Sequence, residues 1–145
     1  MKRFYLHLGI SEVVALVTMG ALAWRGGPVT AWVLSVLFSA SIVFTLYDLS
    51  SLSVIRRHRL SGVFLSGTLF IIGFAGFYTV LDGECAANCV TNFGESIYFS
   101  IVTATTLGYG DFAPAVDARL MAATQAITGY VFLGFTLSFF INDAD

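Results

Sequence analysis

Residues 105–111 read Thr-Thr-Leu-Gly-Tyr-Gly-Asp, and their types suit a site built from main-chain atoms. Glycine accepts a positive φ at little steric cost, so Gly108 and Gly110 allow the backbone to alternate in hand. Such alternation aims successive carbonyl oxygens at one axis, and the Thr106 hydroxyl can add a further oxygen. Neutral oxygens replace the water around a weakly hydrated cation without holding it too tightly. By residue type, the segment therefore allows a cation site built from main-chain oxygens.

The elements that must position this segment are membrane helices. The chain has 145 residues, of which 57% are hydrophobic and 11% charged, and its mean hydropathy is +0.85. These values lie outside the balance of a soluble domain. A membrane helix needs about 20 apolar residues. Four runs qualify, at residues 4–24, 30–49, 60–81 and 118–141.

A shorter helix is predicted directly before residues 105–111. Asn92 followed three residues later by Glu95 has the form of a helix N-cap, and an apolar run follows. About 13 residues separate Asn92 from Thr105, or roughly 20 Å of helix, which cannot cross a hydrocarbon core of about 30 Å. The helix must enter the membrane and return. Non-helical backbone at that depth is tolerated only where protein covers it or it lines a water-filled path.

The basic residues predict the orientation, because positively charged loops stay in the cytoplasm. Five fall on one side of the four spans: Lys2, Arg3, Arg56, Arg57 and Arg59. Only Arg25 and Arg119 fall on the other side. We therefore expect a multi-pass protein of the cell membrane with both termini cytoplasmic and residues 82–117 outside. The first run also resembles a cleavable secretory signal, but His7 and Glu12 interrupt it, which favours a retained helix.

Cys85 and Cys89 are the two cysteines of the chain and lie in the predicted outer loop. An oxidising exterior permits a disulfide between them, or bonds between subunits, and two free thiols are the alternative. No histidine lies nearby, so the pair does not predict a metal site.

The heptapeptide, the short helix before it and the flanking spans resemble the pore module of the potassium channel family over residues 60–141. The resemblance implies a homotetramer in which four loops form a selectivity filter of backbone carbonyls, with K⁺ bound at Thr106, Leu107, Gly108 and Tyr109. It implies passive conduction, no enzymatic activity and no cofactor, with K⁺ as the transported ion. The fold class is then all-α: four transmembrane helices, a re-entrant pore helix and the filter loop.

Two positions depart from the commonest family pattern. Leu107 replaces the usual valine, and only its carbonyl should face the ion. Val102 stands where some members carry a buried glutamate that bonds to the aspartate after the filter. We expect Tyr98 to reach that aspartate, Asp111, by its hydroxyl instead. Thr105 is expected to support the filter from the end of the pore helix.

Gly129 lies where family members carry a hinge glycine in the inner helix, and Gly134 is the second candidate. Either glycine could instead allow close packing between helices, as small residues do in membranes. The Tyr109 ring is expected, from the same resemblance, to pack outward against the short helix.

The chain divides at residue 59 into an N-terminal helix pair, 1–59, and a pore module, 60–145. Arg56, Arg57 and Arg59 predict an interfacial anchor that contacts anionic lipid; they lack the regular spacing of a voltage sensor. No nucleic-acid partner is expected. The alternative function is a non-conducting accessory or signalling membrane protein that kept a pore module. A haem-binding bundle is not favoured, because His7 is predicted near the membrane edge and His58 in a loop, whereas ligation by two histidines needs both inside the membrane and facing each other.

Overall fold

The structure, a computed structural model, describes residues 27, 29–47, 56–81 and 88–142. The helices within these ranges are α1 (Val29–Tyr47), α2 (Arg56–Val80), α3 (Phe93–Ala104) and α4 (Arg119–Asn142), and the 3₁₀ turn Val116–Ala118 leads into α4. The described part of the chain has no β-strand, only an isolated bridge between Cys89 and Ala113.

Three helices are long and apolar enough to cross a membrane, at Val29–Tyr47, Leu60–Val80 and Val116–Ser138. They correspond to the second, third and fourth predicted spans, so the prediction of a helical membrane protein is confirmed for these elements. The first predicted span, 4–24, lies outside the described residues.

Helix α2 begins at Arg56, one turn before its apolar span, whereas the sequence suggested a loop at the basic residues. No glycine or proline separates these residues from the apolar run, and arginine is a good helix former, so the helix continues through them. The side chains of Arg56, Arg57 and Arg59 lie outside the described residues, and so does the predicted lipid contact.

Helix α3 starts and ends as its sequence predicts. Asn92 has extended backbone (φ −141°, ψ 166°) and its Oδ1 accepts a hydrogen bond from the Glu95 N–H at 3.0 Å. The Glu95 carboxylate accepts in turn from the backbone N–H of Thr91 (2.7 Å) and from the Thr91 hydroxyl (2.8 Å). These bonds, led by that of the Thr91 N–H, lower the pKa of Glu95. With 12 residues, α3 is about 18 Å long and cannot span the membrane.

Aromatic rings on α2 contact each of the other three helices. Phe74 meets Phe38 of α1 with ring centroids 6.1 Å apart. Tyr78 packs edge-on against Phe99 of α3 at 4.9 Å. Phe70 stacks on Phe132 of α4 at 6.4 Å. Because α2 lies among the others, it fixes the positions of α3 and α4 relative to each other.

We predict that Phe38→Ala destabilises the protein, since Phe38 is fully buried and its removal leaves a cavity beside Phe74. The expected loss is about 3 kcal/mol, measured by thermal unfolding in detergent. Phe44→Ala on the same helix is the matched control, because Phe44 is 63% exposed. Equal losses from the two substitutions would contradict the packing role of Phe38.

Candidate functional site

The loop 105–110 is attached to the last turn of α3 by its own N–H groups. Thr105 caps the helix with helical backbone (φ −84°, ψ 0°), and its hydroxyl bonds to the Ile101 carbonyl at 2.7 Å. The N–H groups of Thr106 and Leu107 then donate to the carbonyls of Thr103 (3.1 Å) and Val102 (3.0 Å). The first N–H groups of the loop are thus directed back at α3.

The backbone of the loop alternates in hand. Thr106, Gly108 and Gly110 have φ values of +59°, +57° and +75°, and Leu107 and Tyr109 between them do not have positive φ. Gly108 and Gly110 have the positive φ that their residue type predicts. Thr106 at positive φ is a further finding, because a β-branched residue there is a genuine outlier that costs about 1–3 kcal/mol. Its residue type predicts the opposite conformation, so only the regular spacing with the glycines could have revealed it.

The carbonyl groups of the loop are left available. Among the residues that the structure describes, no hydrogen bond is accepted by the carbonyl oxygens of residues 106–110. The side chains of Leu107 and Tyr109 are 56% and 66% exposed in a single chain. The Tyr109 ring is therefore not covered to any large extent by the α3 of its own chain.

A hydrogen bond braces the C-terminal end of the loop. The Tyr98 hydroxyl on α3 donates to Asp111 Oδ2 at 2.6 Å, as the sequence suggested. The other carboxylate oxygen of Asp111 accepts from the Phe112 N–H at 3.0 Å, and the Phe112 ring lies edge-on to the Tyr98 ring at 5.8 Å. The hydrogen bond to Asp111, and then partial desolvation, raise the pKa of Tyr98 to about 12, so the hydroxyl stays protonated and donates at neutral pH. Val102 is buried behind the loop and supplies no charge.

The segment after the loop is bonded to the residues that precede α3. The Ala113 N–H donates to the Asn88 carbonyl at 3.1 Å, and Cys89 pairs with Ala113 in an isolated bridge. Cys89 is disulfide-bonded. Cys85, the other cysteine of the chain, lies outside the described residues.

The two candidate hinge glycines differ in their surroundings. A Cβ added at Gly129 would collide with the Ala104 carbonyl group, so the α4 backbone lies directly against the end of α3. A Cβ added at Gly134 would meet nothing within 4 Å. The structure thus supports the packing alternative for Gly129, while Gly134 lies in open space.

Sequence reasoning missed a buried polar group next to the loop. Gln125 of α4 contacts Ser100 of α3 and Tyr78 of α2, and all three side chains are buried. Gln125 is the only glutamine in the sequence and lies in the middle of an apolar run. A polar residue at that depth is the signal that could have identified it.

A set of membrane-capable helices that holds a short helix and an alternating carbonyl loop defines the pore-forming class of membrane proteins. Residues 63–144 match the family described as Ion channel. These residues are more than half of the sequence, so the chain belongs to the ion channel family and carries a potassium channel pore module.

Curated relatives share the same region. Two pore potassium channel b of Oryza sativa subsp. japonica is 37% identical over 81 residues, which are 55% of this chain and 23% of that protein. Two-pore potassium channel 1 of Arabidopsis thaliana is 40% identical over 68 residues, which are 46% of this chain and 18% of that protein. The chain thus spans about a fifth of the length of these plant relatives.

A bacterial relative is matched over most of its length. Protein LctB of Geobacillus stearothermophilus is 27% identical over 124 residues, which are 74% of this chain and 92% of that protein. No solved structure matches the chain closely.

We predict that Asp111→Asn lowers the pKa of Tyr98 from about 12 towards its ordinary value of 10, because the charged acceptor is lost. Because the pKa is raised in the folded protein, the Tyr98–Asp111 bond contributes fully to stability below pH 10. That contribution is lost as the pH rises through about 12. Ultraviolet titration of the tyrosines measures the midpoint, and Tyr98→Phe identifies which transition belongs to this residue. An unchanged midpoint in Asp111→Asn would contradict the assignment.

We predict that Gly129→Ala destabilises the pore module by about 1–3 kcal/mol, the range for overpacking, since its Cβ would collide with the Ala104 backbone. Gly134→Ala is the matched control on the same helix. It meets no atom, so its thermal unfolding temperature in detergent should stay the same or rise. A loss at Gly134→Ala as large as that at Gly129→Ala would contradict the proposed close approach.

Proposed function

We propose that four copies of this chain assemble around a fourfold axis and conduct K⁺ passively through a filter formed by residues 106–110. The observation that carries the proposal is the alternation of positive φ at Thr106, Gly108 and Gly110. With this alternation the main chain of the segment can present a row of carbonyl oxygens as ligands, which is the geometry of a potassium filter. In each filter strand, K⁺ would be held by the carbonyls of Thr106, Leu107, Gly108 and Tyr109.

The exposure of the loop supports an assembly. Residues 105–111 are all exposed in one chain, and irregular backbone cannot face lipid. A closed ring of identical subunits covers such a surface and encloses a water-filled path, and one loop alone cannot surround an ion. In the ring, the exposed Tyr109 side chain would pack against α3 of a neighbouring subunit.

Ion conduction depends on the positions of the oxygen ligands and on the electrostatic potential around them, and not on covalent chemistry. The negative end of the α3 dipole is directed at the start of the loop, which favours a cation inside the membrane. Glu95, Asp111 and Asp117, near the two ends of the α3-to-loop segment, would concentrate cations at the outer mouth. No step forms or breaks a bond, so we propose neither an enzymatic activity nor a cofactor.

The finer topology belongs to the same proposal. From the sequence we propose that residues 1–59 supply a helix pair around the pore module, 60–145, with both termini in the cytoplasm; residues 1–26 lie outside the described residues. The Trp32 Nε1 donates to Thr124 Oγ1 at 3.3 Å, which supports contact between α1 and the inner helix α4. Arg56, Arg57 and Arg59 would then lie at the cytoplasmic surface, where anionic lipid headgroups are available.

The proposal is tested by ion flux into vesicles that contain the purified chain. We predict uptake of rubidium, used as a tracer for K⁺, with sodium excluded and with block by barium, whose radius suits the same carbonyl sites but whose charge is doubled. Equal uptake of sodium and rubidium would contradict the filter assignment.

Gly108→Ala is the variant that separates the filter from nonspecific leakage. Gly108 has φ +57°, which a residue with a Cβ rarely adopts, so this variant should insert into the membrane but carry no selective flux. Flux that survives in Gly108→Ala would refute the geometry. Absence of flux in the unmodified chain, together with normal assembly, would favour the non-conducting accessory protein.

A further inference from the structure

The buried polar group at Gln125 joins three helices through an unbroken set of hydrogen bonds. The Tyr78 hydroxyl of α2 donates to Gln125 Oε1 at 2.7 Å. Gln125 Nε2 donates to the hydroxyl of Ser100 at 2.7 Å and to its carbonyl at 3.1 Å. The Ser100 hydroxyl donates to the Ile71 carbonyl of α2 at 2.8 Å. The Gln125 side chain thus uses both donors and its acceptor while it is fully buried.

A second contact between the same two helices lies one turn further along each of them. Gly129 follows Gln125 by four residues, and Ala104 follows Ser100 by four. The Gly129 backbone lies directly against the Ala104 backbone. The pairs Gln125–Ser100 and Gly129–Ala104 therefore form a two-point contact that fixes both the position and the direction of the last turn of α3.

That last turn holds the base of the loop. Leu107 donates to the carbonyl of Val102 and Thr106 to that of Thr103, and both acceptors lie between Ser100 and Ala104. A shift of α3 at Ser100 is therefore passed to the first carbonyl ligands. Val102 is uncharged, so it cannot support the loop by an ionic hydrogen bond. The side-chain bond from α3 to Asp111 comes from Tyr98 instead and lies at the C-terminal end of the loop.

We propose that Gln125 is a positioning residue for the filter: through Ser100 it sets the place of the last turn of α3, and so the place of the carbonyls at the inner end of the loop. The inference rests on the proposed function, because it concerns the filter through which K⁺ would pass. The inner helix α4 would then support the filter through α3, and no ionised group would take part in that support.

The test compares Gln125→Leu with Thr124→Ala in the full chain. Leucine is apolar and of similar size, so it removes the bonds to Ser100 and the bond from Tyr78 with little change in side-chain volume. Thr124 is the neighbouring residue on α4, and its hydroxyl accepts from Trp32 of α1 instead, so Thr124→Ala disturbs α4 without touching α3. Tyr78→Phe removes only the bond to Gln125 Oε1 and keeps the shape of the site.

The first measurement is amide hydrogen exchange in peptides that cover residues 105–107. In Gln125→Leu we expect exchange there to accelerate about three- to thirtyfold, the range for one hydrogen bond lost inside a membrane. Tyr78→Phe should give a smaller increase at the same peptides, and Thr124→Ala none. Unchanged exchange in Gln125→Leu overturns the proposal. Equal acceleration throughout α2, α3 and α4 also overturns it, since that reports a merely structural role.

The second measurement is the ratio of rubidium to sodium flux in vesicles. We expect the ratio to fall in Gln125→Leu and to stay unchanged in Thr124→Ala. If Gln125→Leu does not assemble, the flux ratio of Tyr78→Phe tests the positioning role, and we expect that ratio to fall. An unmodified chain without flux contradicts the proposed function alone, because the exchange measurement still decides whether Gln125 holds the loop. A normal ratio in both Gln125→Leu and Tyr78→Phe overturns the positioning role.

Discussion

Irregular backbone at membrane depth must find partners in protein, water or ions, because hydrocarbon offers no hydrogen bonds. Residues 106 and 107 meet this constraint with their donors, which return to the carbonyls of α3. The acceptors of the loop are left without partners among the described residues. This division of donors from acceptors gives the loop a surface of partial negative charge and no fixed ionic charge. In the proposed channel, such a surface would attract a cation that can shed its water and would release the ion again.

Local chemistry made much of this arrangement predictable from sequence. The start of α3 depends on Asn92 and Glu95, which lie within one turn of each other, so their pattern is visible in a single sequence. The positive φ at Gly108 and Gly110 follows from residue type. The membrane spans follow from hydropathy over about 20 residues.

What sequence reasoning missed depends on contacts between distant segments. Gln125 meets Ser100 across 25 residues and Tyr78 across 47, and nothing in the local pattern announces either pairing. The conformation of Thr106 opposes its intrinsic preference and is imposed by the loop as a whole. For Gly129 the sequence left hinge and packing roles open, because only the position of Ala104 in space distinguishes them.

The two sides of α3 are held by groups that do not change charge near neutral pH. Tyr98 stays protonated, because its bond to Asp111 raises its pKa to about 12, and the amide of Gln125 does not titrate. Tyr98 and Gln125 therefore keep their protonation states near neutral pH while they support the proposed filter.

The inner helix α4 then has two parts with different mechanical freedom. Bending at or before Gly129 would break at least one of the two contacts, Gln125 with Ser100 or Gly129 with Ala104. Bending at Gly134 disturbs neither, since no atom lies within 4 Å of the position of its missing Cβ. Glycine also lowers the cost of departing from helical backbone. In the proposed channel, a bend of α4 that opens a path would therefore lie at Gly134, and the part of the helix before it would move only together with the filter.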